Sequence, residues 1–365
     1  MRAQFQKLLQ RAVQRDASDV HLKAGSAPWF RVDGEMVLQE GEPYTVEMME
    51  QLLDIMLSPD QAAYFRKRGE VDLSYTEKGV GRFRVNVFRQ RGAVSCAMRR
   101  IKTAMQSFDQ LHLPPVLKRF AAMQRGLILI TGTTGSGKTT TLASIVDYIN
   151  RRRNCHIVTI EDPIEYLHND HKAIVSQREI ALDTIDFQSA LKSVMRQDPD
   201  VILVGEMRDL ETFQAAISAA ETGHLVFTTL HTTNVMQTID RIIDLFPSTQ
   251  HDQIRSQLSL NLRGILCMRL LPRADGVGRV PACEALVVNP AARKLIKENR
   301  ILQLDTIIAS GKEEGMLSFN DSLHDLIKSE LIKLETGLEV SDNPEDLNML
   351  LQGIRLSSRR GGILR

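Results

Sequence analysis

The sequence lacks several features that mark membrane-spanning and secreted proteins. No stretch holds about eighteen or more consecutive apolar residues, so we expect no membrane-spanning helix. The first residues are charged and contain no apolar run before a small-residue cleavage site, which argues against a signal peptide. The cysteines form no CxxC pair and predict buried thiols in a reducing compartment; they are Cys96, Cys155, Cys267 and Cys283.

Excess charge and aromatic residues are also scarce. The 365 residues include 46 lysines and arginines against 45 aspartates and glutamates, and only 5% are aromatic. This composition disfavours a strongly basic, aromatic-rich nucleic-acid-binding protein. At about 100–200 residues per domain, the length predicts two or three domains with a substantial core.

The hydrophobic pattern changes along the chain. Residues 1–101 predict a small mixed domain, in which residues 82–88 form a strand with alternating apolar and arginine positions. Residues 102–115 contain two consecutive prolines and predict an interdomain linker. Short apolar runs between helical segments in residues 116–289 predict an α/β domain with a mostly parallel sheet. Residues 290–365 predict a helical region and a solvated tail.

The strongest motif is a glycine-rich phosphate-binding loop. Residues 132–139 read GTTGSGKT, fit G-x-x-x-x-G-K-[ST], and lie between a predicted strand and a predicted helix. Lys138 is expected to reach the β- and γ-phosphates, and the Thr139 hydroxyl to ligate Mg²⁺. Because the guanine-recognition pattern N-K-x-D is absent, ATP is favoured over GTP. The predicted nucleotide-binding residues are Gly132, Thr133, Thr134, Gly135, Ser136, Gly137, Lys138, Thr139 and Thr140.

Polar residues suited to phosphate chemistry follow all four predicted strands of the parallel sheet. In open α/β sheets, ligands bind outside the carboxyl ends of the strands. The first strand leads into the phosphate-binding loop, and the other three lead into acidic or histidine residues: Glu161 and Glu165, Glu206, and His231. Together they predict one nucleotide site in which carboxylates hold Mg²⁺ and an attacking water.

The spacing of these residues suggests their roles. Glu206 follows its strand directly and is the candidate for polarising the water, directly or through the metal shell. Glu161 and Glu165 are candidate metal-shell or water-positioning groups. The carboxylate assignments are interchangeable, because spacing does not show which carboxylate contacts the water. His231 is the γ-phosphate candidate. His224 lies about 23 Å away along an extended strand and is expected in packing or at a subunit contact.

Three arginines of the first domain have two interpretations. Arg82, Arg84 and Arg99 alternate with apolar residues, which is typical of a solvated sheet face. They could also stabilise phosphate charge from another domain or subunit, as arginine fingers do. The residues alone favour the solvated face.

Four segments resemble the motifs of the secretion-type ATPases. GTTGSGKTTTLAS, IVTIEDPIEY, RQDPDVILVGEMRD and ETGHLVFTTLHT resemble the Walker A, Asp-box, Walker B and His-box segments of that superfamily. ASDVHLKAGSAPWFRVDG resembles the amino-terminal domain, and LLPRADGVGRVPACEALVVNP resembles the segment beyond the His-box. The chain is most similar to the type IV pilus retraction ATPases, the PilT/PilU group.

This resemblance implies an architecture. It implies a PAS-like α+β amino-terminal domain and a RecA-like P-loop α/β domain followed by a helical carboxy-terminal region. It also implies a homohexameric ring with ATP and Mg²⁺ bound in the cleft between domains and subunits. Family arginines that contact the nucleotide fall on Arg84 and Arg99, which favours the second interpretation for these two and leaves Arg82 open.

The resemblance also implies a function. It implies an ATP-hydrolysing motor for pilus retraction and twitching motility that acts on a PilC-like platform protein, cytoplasmic and peripheral at a bacterial inner membrane. Neither nucleic-acid binding nor direct membrane insertion is expected. The family helix AIRNLIRE reads AARKLIKE at residues 291–298, with three changes. Later segments look closer to accessory PilU-type ATPases, which assist a paralogous motor, so both roles stay open; a RecA-like nucleic-acid translocase is disfavoured.

Overall fold

In a computed structural model of the chain, residues 1–32, 34–101 and 105–354 are described and fold into two compact units. The first unit comprises the described residues up to 101 together with residues 165–167, and the second comprises residues 105–164 and 168–354. Each unit has its own hydrophobic core. Most of the predicted tail, residues 355–365, lies outside the described residues.

The described residues of the first unit form a six-stranded antiparallel sheet and three helices. The helices are α1 (Arg2–Gln14), α2 (Val46–Met56) and α3 (Pro59–Arg68). The strands are β1 (Asp19–Lys23), β2 (Trp29–Val32), β3 (Glu35–Leu38), β4 (Glu70–Glu77), β5 (Gly81–Gln90) and β6 (Ala93–Arg100). Their order in the sheet is β3-β2-β1-β6-β5-β4.

The alternation predicted for β5 is confirmed. Phe83, Val85 and Val87 are fully buried in the core of the first unit, whereas Arg84 between them is exposed. In the antiparallel register of β5 and β6, Arg84 lies directly opposite Arg99. The pleat therefore presents both arginines on the face of the sheet that points away from these three apolar residues.

The described residues of the second unit form a seven-stranded sheet. Its strands are β7 (Gly126–Thr131), β8 (His156–Glu161), β9 (Ile174–Glu179), β10 (Val201–Val204), β11 (Leu225–Leu230), β12 (Leu262–Pro272) and β13 (Arg279–Val287). The α-helices are α4 (Val116–Ala122), α5 (Lys138–Asn150), α6 (Phe187–Val194), α7 (Leu210–Glu221), α8 (Val235–Asp244), α9 (His251–Asn261), α10 (Pro290–Lys297), α11 (Leu304–Ser310), α12 (Phe319–Lys328), α13 (Leu334–Val340) and α14 (Pro344–Leu351). Short 3₁₀ turns occupy Ser248–Gln250, Ile301–Gln303 and Lys312–Glu314.

The strand order β13-β12-β7-β11-β10-β8-β9 places the four predicted strands side by side. β7, β11, β10 and β8 pair in parallel, as expected from their continuous apolar sequences. β13 pairs antiparallel with β12 at one edge. Because the four central strands run in one direction, their carboxyl ends meet at the same edge of the sheet, and this edge carries the phosphate-binding loop.

Residues 105–115, part of the segment predicted as an interdomain linker, contribute apolar side chains to the second unit. The side chains of Phe108 and Leu113 are buried in the core of the second unit, and the Phe108 ring stacks on Tyr148 of α5 at 4.9 Å between centroids. The prolines disfavour regular structure in this segment but do not prevent its apolar side chains from packing. Among the described residues, no helix has both the length and the apolar character needed to cross a bilayer.

Gly264 on β12 marks a close approach between the sheet and α4. A Cβ at Gly264 would lie 2.2 Å from Cζ of the fully buried Phe120 ring. We expect Gly264→Ala to lower the free energy of unfolding by about 1–3 kcal/mol, because the ring has no room to move in a close-packed core. Urea unfolding would measure the change. In a Phe120→Leu background, the cost of Gly264→Ala should be smaller, because the smaller side chain leaves space for the added methyl group. An equal cost in both backgrounds would contradict this explanation.

Candidate nucleotide-binding site

The loop between β7 and α5 has a backbone conformation that requires glycine. Gly132 has φ +150°, and a Cβ there would lie 2.3 Å from Ser136 Oγ and 2.5 Å from the carbonyl oxygen of Met268. Gly137, at the start of α5, adopts the left-handed conformation with φ +95°. Side chains at these positions would fill or strain the loop, so its glycines keep a concave backbone surface open to a phosphate.

The start of α5 offers hydrogen-bond donors to an anion. The helix has no side-chain cap and no acidic residue in its first turn. Its first backbone N–H groups have no partner within the helix and carry the positive end of the helix dipole. Ser136 Oγ is buried and has no hydrogen-bond partner among the described residues. An unpaired hydroxyl beside a helix N-terminus fits the phosphates of a nucleotide.

Lys138 is held within the same loop. Its Nζ donates hydrogen bonds to the carbonyl oxygens of Gly132 at 2.7 Å and Thr133 at 3.1 Å. Partial burial lowers the pKa of Lys138, while the negative charge of Glu206 opposes the shift. Phosphate oxygens would supply Lys138 with negative charge that neutral carbonyl groups lack.

Neighbouring strands fix the backbone that carries Glu206. The N–H of Gly205, the residue after β10, donates to Ile160 O of β8 at 2.8 Å. On the other side lies β11, whose Thr229 Oγ1 donates a hydrogen bond to Gly205 O at 2.7 Å. The carbonyl oxygen of Thr229 accepts a hydrogen bond from Met207 N at 3.2 Å. The turn at Glu206 is therefore anchored to both adjacent strands.

The Glu206 carboxylate contacts two basic side chains. Arg208 Nη2 donates to Glu206 Oε2 at 2.8 Å, and His231 Nε2 lies 3.1 Å from Glu206 Oε1. The hydrogen bond from Arg208 outweighs partial burial and lowers the pKa of Glu206. The carboxylate is therefore ionised near neutral pH. Tertiary structure brings together the two candidates that the sequence places on separate strand ends.

The two Asp-box carboxylates have different surroundings. Glu161 ends β8, and its Oε1 accepts hydrogen bonds from Thr159 Oγ1 at 2.7 Å and Gln177 Nε2 at 3.0 Å. Glu165 is exposed and lies outside the second unit, in the segment after residue 164. Glu161 is thus held in one orientation at the carboxyl edge of the sheet, whereas the role of Glu165 stays a prediction.

The arginines predicted to contact the nucleotide lie together in the first unit. Arg84 and Arg99 are cross-strand neighbours, and Arg99 Nε donates to Asp19 Oδ1 at 2.9 Å. Burial acts to raise the pKa of Asp19, but hydrogen bonds from Ser18 and Arg99 outweigh burial and lower it. The resulting carboxylate offsets part of the repulsion between like charges on adjacent strands. The roles of Arg84, Arg99 and Arg82 toward a nucleotide stay predictions.

His224 lies at the opposite end of β11 from His231. Its Nδ1 is 2.9 Å from the carbonyl oxygen of Ala219 and 3.2 Å from Thr222 Oγ1, at the end of α7. Gly223, between Thr222 and His224, has φ +108°, a left-handed conformation that is common for the residue that follows a helix. These contacts lie within one subunit, and a role for His224 in packing or at a subunit contact stays a prediction.

Three further residues touch the candidate carboxylates. Arg208 is visible in the sequence, two residues after Glu206, and Thr159 lies in the predicted strand. Gln177 is sixteen residues beyond Glu161 and reaches it only because β9 pairs in parallel with β8. No local pattern around Gln177 indicates that pairing, so its contact with Glu161 is not visible in the sequence.

The chain is similar to known proteins over most of its length. The family of type II/IV secretion system proteins matches residues 1–330. The type IV pilus retraction ATPase PilT of Pseudomonas aeruginosa is 42% identical over 340 residues, which cover 93% of this chain and 98% of that protein. The type IV pilus ATPase PilU of the same organism is 38% identical over 349 residues, covering 96% and 91%.

A solved structure also resembles the fold of this chain closely. The crystal structure of the pilus retraction motor PilT with bound ADP superposes with a TM-score of 0.87 and 44% sequence identity. The match covers 94% of this chain and 98% of that one. Both units of the present chain therefore have counterparts in a nucleotide-binding motor.

Proposed function

Because the chain belongs to the family of type II/IV secretion system proteins, we propose that it is an ATP-hydrolysing motor for type IV pilus retraction and twitching motility. The observation that carries this proposal is the convergence of Lys138, Glu206 and His231 at one edge of the parallel sheet. They lie in a chain whose fold matches a retraction motor with bound ADP along almost its full length.

Each side chain has a role in hydrolysis. The loop backbone and Lys138 bind the β- and γ-phosphates, and the ionised Glu206 orients the attacking water and accepts its proton. Glu161 and Glu165 help to place that water, and His231 faces the γ-phosphate.

Thr139 would hold Mg²⁺ together with Glu206, the latter partly through water. When bound, Mg²⁺ would neutralise part of the phosphate charge. Arg84 and Arg99, which belong to the first unit, stabilise the negative charge of the phosphates.

The proposal includes an assembly and a partner. Six copies form a ring in which nucleotide is bound between domains and subunits, and the ring turns a platform protein of the bacterial inner membrane from the cytoplasmic side. The similarity to PilT supports this arrangement.

A second candidate is an accessory ATPase that assists a paralogous retraction motor. The similarity to PilU, 38% identity over 96% of the chain, supports it. The three positions that differ from the family helix AIRNLIRE are Ala292, Lys294 and Lys297, and all of them lie within α10 (Pro290–Lys297). Measuring ATP turnover of the chain alone and mixed with its paralogue separates the two: a main motor is active alone, and an accessory subunit is active chiefly in the mixture.

Deleting the gene in its native host tests the physiological role. A retraction motor predicts excess surface pili and loss of twitching, because pili would assemble without being withdrawn. Electron microscopy of pili and a twitching-zone assay measure the two effects, and expression of the wild-type chain should reverse both. Cells without pili would contradict retraction and indicate assembly, whereas a mild phenotype would favour the accessory role.

A further inference from the structure

A buried polar cluster lies beneath the loop that carries His231. This loop, residues 231–234, joins β11 to α8. The cluster consists of Thr232, Thr238, Cys267 and Glu284, which are all less than a tenth exposed. Thr232 belongs to the loop and Thr238 to α8, whereas Cys267 and Glu284 lie on the neighbouring strands β12 and β13.

Glu284 holds the start of α8. Its Oε2 accepts a hydrogen bond from the backbone N–H of Val235 at 2.7 Å, across 49 residues of sequence. The helix already has a local cap, because Asn234 Oδ1 accepts from Gln237 N at 2.9 Å. Glu284 therefore pairs a further N–H of the first turn and ties that turn to the sheet.

Hydrogen bonds of Thr238 extend the link to the loop. Thr238 Oγ1 donates to the carbonyl oxygen of Asn234 at 2.7 Å and lies 2.7 Å from Thr232 Oγ1. Because the single hydroxyl proton of Thr238 is used on that carbonyl, Thr232 is the donor in the second contact. His231, the neighbour of Thr232, then reaches Glu206.

The same cluster continues toward the phosphate-binding loop. Thr238 Oγ1 lies 3.9 Å from Cys267 Sγ, and Thr131 Oγ1 donates to that sulfur at 3.0 Å. Thr131 ends β7 and directly precedes Gly132. The cluster thus touches both the loop with His231 and the strand that presents the phosphate-binding loop.

A buried carboxyl group in this place is costly, so a simple packing role would be served better by an apolar side chain. Burial raises the pKa of Glu284 to about 7, although the hydrogen bond from Val235 acts in the opposite direction. The surrounding titratable and charged groups are Cys267, Cys283, Arg269, Asp305 and Asp342.

We propose that Glu284 is a positioning residue for hydrolysis: through Val235 it holds α8 and residues 231–234 so that His231 stays against Glu206. The inference rests on the ATP hydrolysis proposed above. Glu284 itself makes no contact with ATP in this proposal, and the effect of Glu284 on turnover passes through His231.

A double-mutant cycle tests this route. Glu284→Ala should lower kcat about 10-fold, the lower end of the effect of removing a residue that orients a catalytic side chain. In a His231→Ala background, the same change should lower kcat by less than about 2-fold, because the residue being positioned is gone. The Kd of ATP should change little in either background, because the phosphate-binding loop is intact. Glu284→Gln keeps an acceptor oxygen and should restore kcat to within about 2-fold of wild type.

Ser318→Ala is the matched control. It removes the N-terminal cap of α12, where Ser318 Oγ accepts from Asp321 N at 3.1 Å, without touching residues 231–234. It should leave kcat unchanged below its melting temperature. If Glu284→Ala does not fold, Glu284→Asp, which keeps the carboxyl group but shortens the side chain, carries the same expectation.

The outcomes separate this inference from the proposed function. Suppose that Glu206→Gln loses turnover, as expected for a hydrolase, but Glu284→Ala still lowers kcat about 10-fold in the His231→Ala background. That result would overturn only the positioning role of Glu284. A folded Glu284→Gln variant as slow as Glu284→Ala would do the same. A wild-type chain without ATP turnover would overturn both proposals.

Discussion

Glu206→Gln is expected to reduce ATP turnover at least about 100-fold, the lower end of the contribution of a positioned general base. Glutamine has nearly the same shape as glutamate but neither accepts a proton nor carries the charge that Arg208 and His231 contact. The lowered pKa of Glu206 means that the active form is ionised across the neutral range. A steady-state phosphate-release assay measures the loss, and the Kd of ATP should stay close to that of wild type.

Unfolding does not explain such a loss. Arg208 is largely exposed, and an ion pair near the surface contributes only about 0–1 kcal/mol to stability. Glu211→Gln serves as the matched control, because Glu211 is exposed in the first turn of α7, five residues further along the chain. It should leave turnover unchanged. Unchanged turnover in Glu206→Gln would refute the assignment of the water-activating residue.

Lys138→Ala is expected to weaken ATP binding at least about 100-fold, equivalent to 2.7 kcal/mol or more. Lys138 is the basic side chain within the phosphate-binding loop, and its partial burial strengthens its attraction to phosphate. Isothermal titration calorimetry with a slowly hydrolysed ATP analogue measures the change in Kd. Turnover should fall together with binding, in contrast to the Glu206 variant, which still binds.

The fold should tolerate the loss of Lys138. Its hydrogen bonds in the loop go to two backbone carbonyls beside the exposed Thr133 and Thr134, where water can replace it. Lys192→Ala, on an exposed position in the last turn of α6, is the control for removing a lysine from this unit and should bind ATP normally. ATP binding by Lys138→Ala with wild-type Kd would contradict the phosphate-binding role of the loop.

Local patterns in the sequence predicted the part of the site that depends on neighbouring residues. The G-x-x-x-x-G-K-[ST] spacing, the apolar strands and the polar residues that follow them are all features of short segments. Once the strands are parallel, their carboxyl ends must meet at one edge, so the convergence of Lys138, Glu206 and His231 on that edge follows from pattern and geometry together.

Contacts between distant segments could not be predicted in this way. Gln177 reaches Glu161 through the pairing of β8 with β9, and Glu284 reaches Val235 through the position of β13 next to β12. Arg84 and Arg99 become neighbours only in the register of β5 and β6. Each contact depends on which strands pair and in what register, and side chains far apart in sequence decide both.

The sequence by itself therefore determined the fold class, the phosphate-binding loop and the residue types at the strand ends, because glycine spacing and hydrophobic periodicity act over a few residues. Only the tertiary structure decided which groups contact Glu206, how Glu161 is oriented, and what holds residues 231–234 in place. It also placed Phe108 and Leu113 in the core of the second unit, although their own segment predicts a linker. Burial and hydrogen bonding between distant segments are properties of the packed chain, so no local pattern carries them.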